Sequence, residues 1–162
     1  MFICNDPHLV RIFGISLGEL KLAKLPVFVI MEKMQFELQA LIFGDNKKGI
    51  QKRKFSLEEK RSILLMVLKG LQKLHSQQFV HCDMKWSNAM MNTIDGKSQG
   101  AIKEVKLIDY GISKFLKNKN TMTHGEISGM SARYSAPEYI KDETVSTKCD
   151  VNFISFTIFL LI

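Results

Sequence analysis

The 162-residue sequence holds little that staples or interrupts a fold: three prolines, three cysteines and one tryptophan. Cys4, Cys82 and Cys149 lie far apart, are odd in number and form no CxxC pair. That argues against a disulfide framework or a cysteine-based zinc site and fits a reducing compartment. Met1 to Asp6 lacks the basic and long apolar segments of a signal peptide. The one long apolar stretch, Val151 to Ile162, has 12 residues. It falls short of the ~18 that suggest a membrane span, so a buried core helix is expected there. Internal repeats and low-complexity segments are also missing.

What is present suits a globular chain with one hydrophobic core: 46% hydrophobic and 24% charged residues. The formal net charge of +7 raises the question of an anionic partner. The basic residues are scattered, however. Their densest group, Lys47, Lys48, Lys52, Arg53 and Lys54, accompanies Gly44, Asp45, Asn46 and Gly49, which reads as a solvated loop. No nucleic-acid partner is expected.

Hydrophobic patterning predicts strands over Leu9–Ile15 and Pro26–Met31, the second an unbroken apolar run expected to be buried on both faces. A polar loop follows over 44–54. Ser56 and Glu59 form a capping-box signature. Behind it Ile63, Leu64, Val67, Leu68, Leu71 and Leu74 make one stripe at helical spacing, and the helix is expected to end near Gln77. Phe79-Val80 is expected as a short strand. Ala89–Asn92 and Val105–Ile108 are expected as a hairpin around Asp95-Gly96, with a loop over 112–130 and helices over 136–141 and 149–162. Segregated helices and strands predict an α+β fold.

The candidate chemistry lies in His81-Cys82-Asp83-Met84-Lys85-Trp86-Ser87-Asn88. Asp83, just past a strand, offers a carboxylate able to accept a proton from a hydroxyl. Lys85 is two residues on and could neutralise a phosphate, and the Asn88 amide oxygen could ligate a cation. Asp109 ends the strand Val105–Ile108 and precedes Gly111, a good position for a metal ligand. Base, counter-charge and two cation ligands are the parts that phosphoryl transfer needs, since that chemistry depends on positioning and charge neutralisation. A lone Asp beside a His is more often a turn or cap residue, so the case rests on order and spacing together.

With that order, the chain resembles the protein kinase family. His81-Cys82-Asp83…Asn88 is similar to the H-R-D-x-x-x-x-N loop with Cys for Arg. Asp109-Tyr110-Gly111 is similar to D-F-G with Tyr for Phe, and Ala136-Pro137-Glu138 matches A-P-E. Asp6-Pro7-His8-Leu9-Val10, Val29-Ile30-Met31-Glu32 and Lys148-Cys149-Asp150-Val151 resemble further family segments, so the likeness extends from about residue 5 to 155. It implies a kinase-like fold: the end of the N-lobe with the hinge over 1–34 and the first part of a mainly helical C-lobe over 35–162.

The resemblance also implies roles. Asp83 would be the catalytic base, Lys85 the γ-phosphate contact, and Asn88 and Asp109 the magnesium ligands. The Glu32 carbonyl and Met34 N–H would hold adenine, with Met90 beneath it and Met31 as gatekeeper. His81, Tyr110 and Ile12 would stack in an apolar spine, and Asp150 would hold the catalytic loop from below. ATP and Mg²⁺ are the implied cofactors. Lys85 and Ser131, seven residues before Glu138, fit the serine/threonine pattern, so a protein hydroxyl is the implied substrate. Cys82 replaces the Arg that normally pairs with an activation-loop phosphate. This resembles "non-RD" receptor-like and tyrosine-kinase-like enzymes and makes Thr121, Thr123 and Ser128 ordinary loop residues. A cytoplasmic location follows, alone or as the intracellular part of a larger protein.

The sequence departs from the family in three respects. Gly14 and Gly18 make no GxGxxG, there is no V-A-I-K lysine or helix-αC glutamate, and Ser155 stands where the family usually has Gly. An incomplete domain, poorly soluble and inactive alone, is therefore expected. A pseudokinase-like scaffold is the alternative that the missing parts favour. A small-molecule phosphotransferase is a weaker one, since those enzymes lack the A-P-E segment.

Overall fold

The computed structural model describes residues 5–17, 27–109, 114–115, 122–123, 137, 141 and 144–152. Strands β1 (Ile12–Leu17) and β2 (Val27–Met31) pair antiparallel, with Ile12 opposite Met31 and Leu17 opposite Val27. Strand β3 (Phe36–Glu37) runs into a short helix, α1 (Leu38–Phe43). The long helix α2 (Leu57–Ser76) leads to β4 (Phe79–Val80). A 3₁₀ turn, Trp86–Asn88, then enters the hairpin of β5 (Ala89–Thr93) and β6 (Ile102–Leu107). The pairs β7 (Lys114–Phe115) with β4, and β8 (Met122–Thr123) with β9 (Thr144–Val145), are antiparallel.

Helix α2 forms where its local signals put it. The Ser56 hydroxyl accepts from the Glu59 N–H and the Glu59 carboxylate accepts from the Ser56 N–H, so two orphan donors of the first turn are satisfied. Gln77 closes the other end. Ile63, Val67, Leu71 and Leu74 are buried and pack with Leu9, Leu41, Met91, Val105 and Leu107 into one core. The stripe is narrower than its spacing suggests, because Leu68 is 38% exposed and only Leu64's flank reaches the core.

Helix α2 also carries Gly70 at its closest approach to the 5–10 segment. A Cβ there would sit 2.8 Å from the His8 carbonyl oxygen and 3.1 Å from a Leu107 methyl. The bare backbone lets His8 and Val10 bond to Leu107 as an extra parallel bridge at the edge of β6: Leu107 N–H donates to His8 O and Val10 N–H to Leu107 O, both at 2.9 Å. The first strand therefore begins at Ile12 rather than Leu9.

Strand β2 lies where predicted, but it is not buried on both faces. Phe28 is 59% and Ile30 53% exposed, because among the described residues β2 pairs only with β1. Helix α1 was not expected. The loop predicted over 112–130 contains β7 and β8 in its described part. Of the helix expected over 136–141, only Pro137 and Lys141 are described, both helical. The last expected helix is seen as helical backbone over 147–152, and the rest of it lies outside the described residues. No helix among the described residues is long and apolar enough to cross a membrane.

Candidate active site

The β5–β6 hairpin brings the site together. Ala89 opposes Leu107 and Met90 opposes Lys106, and the ladder ends with Ile108 N–H donating to Asn88 O at 2.9 Å. Asn88 and Asp109 thus stand at the same open end of the hairpin. Within the preceding loop, Asn88 Nδ2 donates to the Asp83 carbonyl at 2.8 Å and to Asp83 Oδ2 at 3.0 Å. The same Oδ2 accepts from Lys85 Nζ at 2.5 Å. Asp83, Lys85 and Asn88 are therefore one hydrogen-bonded group. Asp83 and Asn88 are buried, and Lys85 is partly open.

The loop is tied down from two sides. His81 is fully buried, with Nε2 2.9 Å from the Ile108 carbonyl and Nδ1 3.3 Å from the Asp83 N–H. A carbonyl only accepts and an N–H only donates, so these partners place the ring proton on Nε2. On the other side Asp150 is 1% exposed. Its Oδ2 accepts from the His81 N–H at 2.8 Å and its Oδ1 from the Cys82 N–H at 3.0 Å, while His75 Nε2 meets Oδ2 at 2.8 Å. This clamp lets Cys82 keep φ +67°, a left-handed conformation unusual for a non-glycine residue. Cys82 and Cys149 are both buried thiols.

Asp109 also takes a left-handed φ of +63°, is exposed, and makes no hydrogen bond or ion pair among the described residues. The Asn88 Oδ1 accepts no hydrogen bond there either, because the amide uses its nitrogen on Asp83. Two oxygen donors with spare lone pairs at one hairpin end fit a magnesium ion, which takes one or two protein oxygens and fills its other positions with water and phosphate. No cluster of three or more His, Cys, Asp or Glu occurs among the described residues, which such a site does not require.

At the predicted hinge, Glu32 N–H donates to Arg11 O at 2.9 Å, and the Glu32 carboxylate accepts from the Arg11 N–H at 2.7 Å and from Lys106 Nζ at 2.8 Å. Burial disfavours the Lys106 ammonium. The Glu32 hydrogen bonds and the nearby Glu104 charge outweigh it and hold Lys106 above its ordinary pKa. The Glu32 carbonyl and the Met34 N–H carry no hydrogen bond among the described residues. Met90 is half-buried on β5, while Met31 at the end of β2 is 43% exposed.

Sequence reasoning missed the Lys106–Glu32 tie and the His75–Asp150 contact. Lys106 lies in plain view on β6, but its partner is 74 residues away. Tyr110, Gly111, Ser131, Ala136, Glu138, Thr121 and Ser128 lie outside the described residues.

The model of the protein kinase domain matches residues 3–162 of this chain. The chain belongs to the protein kinase family. Among curated kinases it is 28% identical over 148 residues to serine/threonine-protein kinase pakH of Dictyostelium discoideum, a match covering 91% of this chain and 25% of pakH. It is 32% identical over 136 residues to cell division control protein 2 homolog 2 of Trypanosoma brucei brucei, covering 84% of this chain and 34% of that protein. A chain in the crystal structure of the yeast RNA Pol II CTD kinase CTDK-1 complex superposes with a TM-score of 0.72 at 21% identity, over 98% of this chain and 45% of its own length. That match carries the α+β kinase fold. The kinase chain thus spans between a quarter and a third of these two curated relatives.

Proposed function

We propose that this kinase chain is the ATP- and magnesium-dependent part of a protein serine/threonine kinase, with Asp83 as the base. The observation that carries the proposal is the Asp83–Lys85–Asn88 group beside the unengaged oxygens of Asn88 and Asp109. Bound ATP with Mg²⁺ would supply the transferable phosphoryl group and the charge neutralisation that this reaction needs. Asn88 Oδ1 and the Asp109 carboxylate would hold the metal. The Glu32 carbonyl and Met34 N–H would face adenine above Met90, and the hinge would divide the N-lobe strands before residue 35 from the C-lobe after it.

Asp83 would accept the proton of a serine or threonine hydroxyl. The Asn88 amide and Lys85 ammonium on Oδ2 orient that carboxylate. Lys85 would then balance the charge that develops on the phosphoryl oxygens. The buried Asp150 and His81 fix the loop before substrate arrives, which is the preorganisation this chemistry depends on.

The test is a thermal shift. ATP with Mg²⁺ is expected to raise the melting temperature of the chain, and Asp109→Ala to remove that rise while lowering the unliganded melting temperature only by the small cost of Ala at φ +63°, since Asp109 holds no partner among the described residues. A rise that persists in Asp109→Ala, or no rise at all, would refute the proposal. The second outcome would favour a nucleotide-independent scaffold. With no GxGxxG and no V-A-I-K lysine among its 162 residues, the chain on its own is expected to transfer phosphate negligibly.

A further inference from the structure

A cleft of about 410 Å³ opens between α1, the 51–55 segment, the start of α2 and the 3₁₀ turn. Its apolar lining is Ile42, Phe43, Phe55 and Trp86, and its basic lining is Lys52, Arg53, Lys54 and Lys60. We propose that this cleft is a docking pocket for an acidic stretch of the kinase's protein substrate, one that carries a single aromatic or large aliphatic anchor. The proposal rests on the kinase function given above and adds a substrate class to it.

The pocket is built around Arg53, which is not the solvated loop residue its basic neighbourhood suggests. Arg53 is 5% exposed. Its Nη1 donates to the Ser98 and Gly100 carbonyls at 3.0 and 2.7 Å, its Nη2 meets Glu59 at 2.5 Å, and its guanidinium lies 4.9 Å from the centre of the Phe55 ring. The floor is therefore fixed from both the β5–β6 turn and the cap of α2. Lys52 and Lys54 flank Arg53 in the chain and are exposed, while Lys60 is half-buried. None of these three ammonium groups has an ion pair or side-chain hydrogen bond among the described residues. The Glu59 carboxylate beside Lys60 in sequence is already taken by Arg53 and the Ser56 cap. Phe43 stands 59% exposed at the rim.

Apolar side chains beside three uncommitted lysines call for a ligand with an apolar anchor and neighbouring carboxylates. A phosphate ligand fits less well. The one guanidinium able to grip it bidentately is committed to carbonyls and Glu59, and three flexible lysines set no phosphate geometry. The volume lies within the roughly 300–1,000 Å³ of ligand pockets generally. The location supports a substrate rather than a distant partner, because Trp86 is the residue after Lys85. A segment anchored in the pocket would therefore lie beside the catalytic loop.

The experiment is fluorescence anisotropy with this chain and a short labelled peptide of Glu and Asp around one central Phe. Binding should weaken as salt rises, and should fall roughly tenfold or more when Lys52, Lys54 and Lys60 are changed to Glu. Lys60→Glu alone should give a smaller fall in the same direction, and Phe43→Ala should weaken the Phe peptide but not one with Ala at its centre. Unchanged Trp86 emission shows that each variant is folded. Equal binding of a Lys-rich counterpart peptide, tighter binding of a single-stranded oligonucleotide of matched charge, or full binding by the triple variant would each overturn the docking proposal. The ATP and Mg²⁺ thermal shift on the same samples separates the two claims. If that shift is intact and peptide binding absent, docking alone fails. If peptide binding is intact and the shift absent, the kinase function fails and the pocket loses its substrate.

Discussion

Asp150 offers the sharpest test of how the catalytic loop is held. Replacing it by Ala removes one buried carboxylate that accepts from the His81 and Cys82 N–H groups and meets His75. Both backbone donors sit on buried residues. Each unsatisfied buried donor costs about 1–3 kcal/mol, and bonds to a charged acceptor lie toward the top of that range. Two such donors, with the His75 contact also lost, put Asp150→Ala at roughly 3–6 kcal/mol, a large share of the ~5–15 kcal/mol that holds a domain together. For a chain of this size that corresponds to a fall in melting temperature of roughly 6–24 °C.

Asp150→Asn should fall in between. Its single amide oxygen can serve one side of the clamp, while its NH₂ is set against an N–H on the other. Trp86, the only tryptophan, is 3% exposed and lies in the same loop, so its emission during thermal or urea unfolding reads the event directly. If Asp150→Ala melts within ~2 °C of the parent, or if Asn proves worse than Ala, the clamp does not hold the loop as described.

Gly70→Ala should destabilise the chain by about 1–3 kcal/mol in urea unfolding, because the new methyl meets the His8 carbonyl at 2.8 Å. At an open helix position the same change would stabilise by about 0.5–1 kcal/mol, so the sign decides. A third prediction concerns acid. The Ser56 N–H bond holds the Glu59 carboxyl below its ordinary value of 4.5; partial burial opposes this and Arg53 adds to the lowering. A depressed folded pKa means that the Glu59 contribution is complete above about pH 4.5 and is lost as pH falls through the lower folded value. The difference in urea midpoint between the parent and Glu59→Gln should therefore shrink below pH 4.5, and a difference that grows on acidification would contradict the assignment.

The parts of the fold legible in the sequence are those whose causes are local. Helix α2 announces itself through Ser56, Glu59 and its stripe, and the hairpin through alternation around Asp95-Gly96. The grouping of Asp83, Lys85, Asn88 and Asp109 followed, because three of these residues share one loop and the hairpin register returns the fourth to it. Helix α1 gave no warning, having six residues, no side-chain cap and no charged residue in its end turns. Burial of Leu38, Ala40 and Leu41 against distant elements makes it a helix. Arg53 was misjudged for the same reason, since the carbonyls that bury it lie 45 and 47 residues further on. The exposure of Phe28 and Ile30 was equally hidden, because an apolar run says nothing about how many strands lie beside it.

The β5–β6 hairpin has two ends with separate duties. Its open end carries Asn88 and Asp109, and its turn supplies the Ser98 and Gly100 carbonyls that seat Arg53. The ladder between them is pinned independently of the turn: Gln35 accepts from the Thr93 N–H at 2.7 Å, and the Gln35 N–H donates to Asn92 at 2.8 Å. Insertions or deletions over 94–101 should therefore reshape the Arg53 floor while leaving the oxygens of Asn88 and Asp109 in place. Ligand preference can diversify at one end of the hairpin without a matching change at the other, and the turn is the place to graft new specificities onto this scaffold.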